Sequence, residues 1–343
     1  MELLFPFLLV IFASFFQGTF GLGMKYIEPM SWEAWWIVYS VIAMILFPGI
    51  WALIVIPDLW GSIAAVPSSA VWGGMLYGFL WGVGGIMFGI SVGYIGVSIT
   101  YGIVMGLAAS VGSLVPLMQI PNIGSNPALP IVIIGVLVML VGVAMSAIAG
   151  IKRDSVQAAA GKEIAGIKTG AEFRKGLVIA TVCGALSALL NVGFANALPI
   201  AAAAESLGAI TRNSSLAAWV VVLFGAFIMN AGYAVVLLIK NNSWGTFAAA
   251  NSGKAWKWAI LTGIFWFAAL GVYGQGAALL GSIGPVIGWP MLLGLALIIS
   301  NVWAVRTGEW EGAQGPFRLM LGGVAVLIVA CIILGYSNTL FAG

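Results

Sequence analysis

The sequence predicts an all-α integral membrane protein of ten transmembrane helices, and three observations carry that prediction. Charged residues are 7% of the 343, against roughly 25% in an average soluble domain. Hydrophobic types reach 62%, and the 93 positions from 59 to 151 hold no Asp, Glu, Lys or Arg. These runs are apolar on every face instead of on alternate residues, which indicates helices and not barrel strands. A bilayer crossing needs roughly 20 apolar residues, so the chain can cross many times. Such a composition excludes a soluble enzyme, a nucleic-acid binder, a secreted disulfide scaffold and a disordered regulator.

Pro, Gly, Asn and the few charges cut the apolar material into segments at about 3–24, 32–56, 70–91, 95–119, 128–150, 175–196, 214–239, 256–280, 284–305 and 315–337. The first begins directly after Met1-Glu2, without a basic region or a small-residue cleavage site, and is read as a retained span. Glu33 opens the second and Asp58 closes it. The third, fourth and fifth fill the uncharged stretch, and the sixth is followed by Glu205. Short Gly-containing turns must reverse the chain near Ile95 and Ile283.

Twelve of the 13 Lys and Arg residues fall in or beside the connections after odd-numbered spans; Arg212 alone falls on the other side. Basic residues are retained on the cytoplasmic side, so both termini are expected outside the cytoplasm. The segment 151–174 is the one long hydrophilic linker, expected at the cytoplasmic face, and it separates 1–150 from 175–343, five spans each. Two five-span halves of common fold must lie with opposite orientation. At an offset of 185, Gly78, Trp81, Gly89 and Gly96 meet Gly263, Trp266, Gly274 and Gly281, and Phe88 meets Tyr273. The expected architecture is therefore two inverted five-helix repeats.

Gly85, Gly89 and Gly93 recur every fourth residue, as do Gly102, Gly106 and Ser110, so each series lines one helical face. Such faces pack permanently against a neighbouring helix or slide during a conformational cycle. Cys183 and Cys331 lie in apolar runs without metal or redox spacing and read as packing residues; the chain has no His. No metal site, cofactor or catalytic set is expected, and the net charge of +3 implies no nucleic-acid partner.

The polar inventory of the spans is short. Gln17 and Asn191 occupy the first helix of each half, and an unpaired amide in hydrocarbon costs a few kcal/mol. Each must bond either another helix or a ligand hydroxyl in a central cavity. Trp32, Trp35, Trp36, Trp60, Trp244 and Trp256 lie near span ends and read as interfacial anchors. Trp81, Trp266 and Trp289 are deeper, and an indole there either packs or stacks on the C–H face of a sugar. Tyr101, Tyr273 and Gln275 add hydrogen-bonding capacity. Glu33 is the remaining candidate for proton coupling, beside the plainer reading of an acid at a helix N-terminus.

Over nearly its whole length the chain resembles the L-rhamnose-proton symporter family of the drug/metabolite transporter superfamily. The stretches that carry the resemblance are Lys25 to Trp36 with Ser31-Trp32-Glu33, Gly78 to Gly96 with Trp81-Gly82-x-Gly84 and Tyr94-x-Gly96, Cys183-Gly184-x-x-Ser187, and Gly308-Glu309-Trp310. The sequence departs from the family pattern around Gly85, at Gly93 and at Gly284-Pro285-Val286. The resemblance implies a drug/metabolite transporter-like fold in a bacterial inner membrane, alternating access, and import of a 6-deoxy sugar with H⁺. Gln17, Asn191 and Gln275 are then the expected hydroxyl partners, Trp81, Trp289 and Tyr101 the walls, and Glu33 the proton site. The alternatives are an amino-acid, drug or other metabolite transporter of the same fold, and, from another class, a membrane-embedded enzyme or scaffold.

Overall fold

A computed structural model describes residues 4–161, 168 and 170–341, and among them every regular element is helical. Ten helices are long and apolar enough to cross a membrane: α1 (Leu4–Tyr26), α2 (Trp32–Val55), α3 (Ser68–Ile95), α4 (Val97–Gln119), α5 (Ala128–Ala159), α6 (Gly170–Ser206), α7 (Thr211–Asn241), α8 (Gly253–Leu279), α9 (Gly281–Arg306) and α10 (Gln314–Phe341). Helix α5 continues past residue 150 to Ala159, into the segment read as the hydrophilic linker. Lys162, with the rest of 162–167 and residue 169, lies outside the described residues.

Local chemistry explains the helix boundaries. The Ser31 hydroxyl accepts from the Ala34 N–H at 3.3 Å and starts α2, supplying an acceptor to one of the orphan donors of a first turn. Pro48 has no N–H to return to the preceding turn, and the residues just before it, Ile42–Leu46, widen into a π-helical stretch. The two tight reversals expected near Ile95 and Ile283 occur at Gly96 (φ 76°) and Gly281 (φ 68°). Both sit in the left-handed region where a side chain is strained.

The chain divides into two compact units. The first comprises Met1–Gly82 and Val192–Gly284, so it holds α1, α2, the first half of α3, the end of α6, α7 and α8. Its helices meet through glycine. A Cβ on Gly78 would lie 1.9 Å from the Val222 carbonyl oxygen, and one on Gly225 would lie 1.9 Å from that of Met75, so α3 and α7 touch backbone to backbone. Gly263 brings α8 close to α2, with 2.9 Å from its ideal Cβ to that of Ile42. Gly276 seats α8 against Pro6 of α1 at 2.9 Å. Lipid tails provide no hydrophobic drive between helices, so close backbone approach and dispersion supply the packing.

The second unit comprises Val83–Asn191 and Pro285–Gly343 and holds the rest of α3, α4, α5, the start of α6, α9 and α10. Gly135 and Gly142 of α5 face Leu334 and Leu327 of α10 at 2.7 and 2.8 Å from their ideal Cβ positions. Arg153 bonds Asp154 Oδ1 through two nitrogens at 2.9 and 2.8 Å, and Ser98 donates to Asp154 Oδ2 at 2.6 Å, joining the end of α5 to the start of α4. Buried Cys183 lies 3.1 Å from the Gly84 carbonyl.

Two expectations change. Gly102 and Gly106 do pack, against Ala147 and Leu140 of α5, but Gly85, Gly89 and Gly93 are exposed with no atom within 4 Å of an added Cβ. A small residue permits close packing without requiring it. Trp60 and Trp244 are 67% and 49% exposed, in keeping with interfacial anchors, whereas Trp35 is 0% exposed and stacks on Tyr39. Trp35 lies on the inward face of α2, so its position near a span end says nothing about its environment.

Candidate functional site

In the first unit an aromatic and amide cluster joins α2, α3, α7 and α8. Trp81 of α3 stacks on Trp266 of α8 with ring centroids 5.3 Å apart and planes inclined by 29°. Trp266 in turn meets Tyr39 of α2 edge to face at 6.0 Å. Tyr39 contacts both Trp35 and Trp36, and the Trp36 indole N–H donates to Asn230 Oδ1 of α7 at 3.1 Å. Asn230 is itself held by donation to the Ala226 carbonyl at 2.9 Å. The helical repeat explains the assembly: Trp35, Trp36 and Tyr39 fall on neighbouring positions of one α2 face, three and four residues apart.

Several buried polar atoms on these helices have no protein hydrogen-bond partner: Gln17 Oε1 of α1, Trp35 Nε1 of α2 and Thr262 Oγ1 of α8. Gln17 continues the buried face of Pro6, Val10 and Ala13, and its neighbour Phe16 meets Phe265 of α8 at 5.5 Å. Thr262 lies one turn before Trp266, against Gly23. Unpaired polar atoms in an apolar interior cost about 1–3 kcal/mol each, so each of these is a candidate to meet a polar group that the protein itself does not supply.

The other expected residues of this unit lie elsewhere. Gln275 donates to Asn213 Oδ1 at 3.0 Å, joining the last turns of α8 to the first turn of α7, so it sits toward a span end instead of mid-depth. Glu33, 6% exposed, is the one buried acid among the described residues. Its carboxylate accepts from Asn241 Nδ2 at 3.1 Å and from the Ser243 hydroxyl, which ties the start of α2 to the end of α7.

In the second unit Asn191 and Trp289 come together on α4. The Asn191 amide nitrogen donates to the carbonyls of Gly112 and Pro285, both at 2.8 Å, and the Trp289 indole donates to the Ala108 carbonyl at 3.0 Å. A Cβ on Gly112 would lie 2.6 Å from that indole nitrogen, so glycine is what admits the ring. Both Asn191 donors therefore serve an interhelical bond joining α6, α4 and α9. Tyr101 is apart from this pair, near the start of α4, where its ring meets Phe88 edge to face at 6.4 Å.

The sequence reading passed over Asn230 and Tyr39 and read Trp36 as an interfacial anchor. Asn230 was open to discovery by the rule that found Gln17 and Asn191, a lone amide inside an apolar span. The roles of Trp36 and Tyr39 depend on which helix packs on that face, which periodicity does not encode.

Among the described residues no group of three metal-ligating side chains converges. A solved crystal structure of a protein superposes on this fold with a TM-score of 0.55, covering 94% of this chain and 98% of that one at 17% identity, a likeness of fold alone. The L-rhamnose-proton symporter of Pectobacterium atrosepticum is 26% identical over 343 residues, 96% of this chain and 98% of that protein. The symporter of Escherichia coli O1:K1 / APEC is 26% identical over 331 residues, 93% of each, and that of Yersinia pestis (strain Pestoides F) is 24% identical over 327 residues, also 93% of each. The family described as L-rhamnose-proton symport protein matches residues 5–339, and the chain, with ten helices apolar enough to cross a membrane among its described residues, belongs to that family.

Proposed function

We propose that this protein imports L-rhamnose together with protons across a bacterial inner membrane by alternating access. The observation that carries the reading is the Trp81–Trp266 stack at mid-span, with buried, unpaired oxygens on Thr262 of α8 and on Gln17 of α1, the helix that packs on α8. Aromatic faces suit the C–H face and methyl of a 6-deoxy sugar, and amide and hydroxyl groups suit its hydroxyls. Gln17 and Trp81 are the first sugar contacts in this reading. In the second unit Asn191 and Trp289 hold α4, α6 and α9 in register and Tyr101 lies near the start of α4, while in the first unit Gln275 ties α8 to α7. Glu33 takes the proton.

Two inverted five-helix repeats, 1–150 and 175–343, underlie the proposed cycle. Several features support them. Gly96 and Gly281, which correspond at the 185-residue offset, both adopt left-handed φ between consecutive spans. Gly78 of α3 packs on α7, and its counterpart Gly263 of α8 packs on α2. In this reading both termini lie outside the cytoplasm.

Uptake of labelled L-rhamnose into proteoliposomes, under a pH gradient or a Na⁺ gradient imposed separately, tests the proposal. Accumulation driven by the pH gradient is expected. Saturable exchange of an amino acid without exchange of rhamnose would replace it with another transporter of the same fold.

A further inference from the structure

We infer that the first unit carries a binding site for an anionic phospholipid headgroup, at the junction of α1 and α8. A cleft there is lined by Met24, Lys25, Tyr26, Ile27, Glu28 and Lys254. Its wall is stiff. The Tyr26 ring stacks on Trp258 with centroids 4.7 Å apart and planes 16° apart, and the Lys254 ammonium sits 4.4 Å from the centroid of the same ring. A cation over an aromatic face keeps its remaining N–H groups for a second acceptor. Lys254 is thus held at the mouth of the cleft, together with Lys25.

The charges select the occupant. Two ammonium groups and the Glu28 carboxylate line the cleft, and Lys257 adds an exposed ammonium one turn further along α8. The net positive charge matches a phosphodiester and not a zwitterionic headgroup. A lipid is favoured over a soluble anion by what adjoins the cleft. The outward face of α1 exposes Leu4, Leu8, Ile11, Phe12 and Phe15 at helical spacing, and Met24 in the wall of the cleft is itself 38% exposed. Acyl chains lying on that face bring their phosphate to Lys25 and Lys254. The orientation proposed above puts this end in the cytoplasmic leaflet, where anionic lipid concentrates and each basic side chain raises its local occupancy roughly fivefold.

The test uses the full chain in nanodiscs of phosphatidylcholine, alone or with phosphatidylglycerol, read by thermal unfolding and by native mass spectrometry of retained lipid. Phosphatidylglycerol is expected to raise the Tm and to remain bound, because a ligand of the folded state stabilises it by mass action. The double variant Lys25→Ala/Lys254→Ala is expected to keep its Tm in phosphatidylcholine and to lose the phosphatidylglycerol shift. Lys254→Arg should retain the shift, and so should Arg318→Ala, which removes a cation outside the cleft. Should the double variant fail to fold, Lys254→Gln alone must still reduce the shift. An undiminished shift in Lys25→Ala/Lys254→Ala or in Lys254→Gln, no shift in the parent protein, or an equal shift from glycerol 3-phosphate in solution would overturn the proposal. Rhamnose transport is measured separately, so failure here leaves the transport reading untouched.

Discussion

Trp81 and Trp266 stack on each other at the centre of the first unit, 5.3 Å between ring centroids, and they are 185 residues apart, the same offset that relates Gly96 to Gly281. In the proposed inverted-repeat arrangement the two are corresponding residues, and contact between corresponding residues is what a position beside a twofold axis gives. The stack joins α3 to α8, so neither helix supplies the aromatic wall alone.

The stack is expected to behave as one binding element. Trp81→Ala and Trp266→Ala should raise the KM for rhamnose by similar factors, about three- to tenfold for loss of an aromatic pair worth roughly 0.5–1.5 kcal/mol. Trp81→Phe should retain part of the affinity. Uptake kinetics in proteoliposomes check this; a KM unchanged in both alanine variants would remove the stack from the sugar site.

Glycine at position 78 is expected to matter far more than glycine at 85. A methyl at Gly78 meets the Val222 carbonyl, whereas at Gly85 it meets nothing within 4 Å. Gly78→Ala should lower stability by about 1–3 kcal/mol, the usual cost of overpacking, while Gly85→Ala leaves it unchanged. Thermal unfolding in detergent distinguishes them, and equal melting temperatures would contradict the close α3–α7 contact.

Asn191→Leu removes both donors to Gly112 and Pro285. Interhelical bonds of this kind contribute about 0.6–2 kcal/mol each in membranes, so a lowered Tm with or without rhamnose is expected. An unchanged Tm accompanied by lost sugar affinity would instead make Asn191 a direct ligand contact.

For Glu33 the informative change is to Gln, which keeps an acceptor for Asn241 and Ser243 and removes the titrating oxygen. Rhamnose counterflow should persist while accumulation driven by a pH gradient is lost. If accumulation survives at parental level, Glu33 only anchors α2 to the end of α7 and the proton travels elsewhere.

The count, type and approximate limits of the ten helices were readable from residue order, because hydrocarbon demands long apolar segments whatever their neighbours. The glycine reversals at 96 and 281 were readable for a local reason, since φ above zero depends on one residue. Trp35 and Trp60 look alike in sequence, yet one is buried and the other exposed, and Gly78 and Gly85 differ in the same way. Lipid and protein interior are both apolar, so hydropathy cannot tell a helix face that meets another helix from one that meets acyl chains. Which aromatic rings touch, and whether Asn191 bonds a backbone carbonyl, follow from contacts between distant segments, and those are decided by the shapes that fit at van der Waals distance.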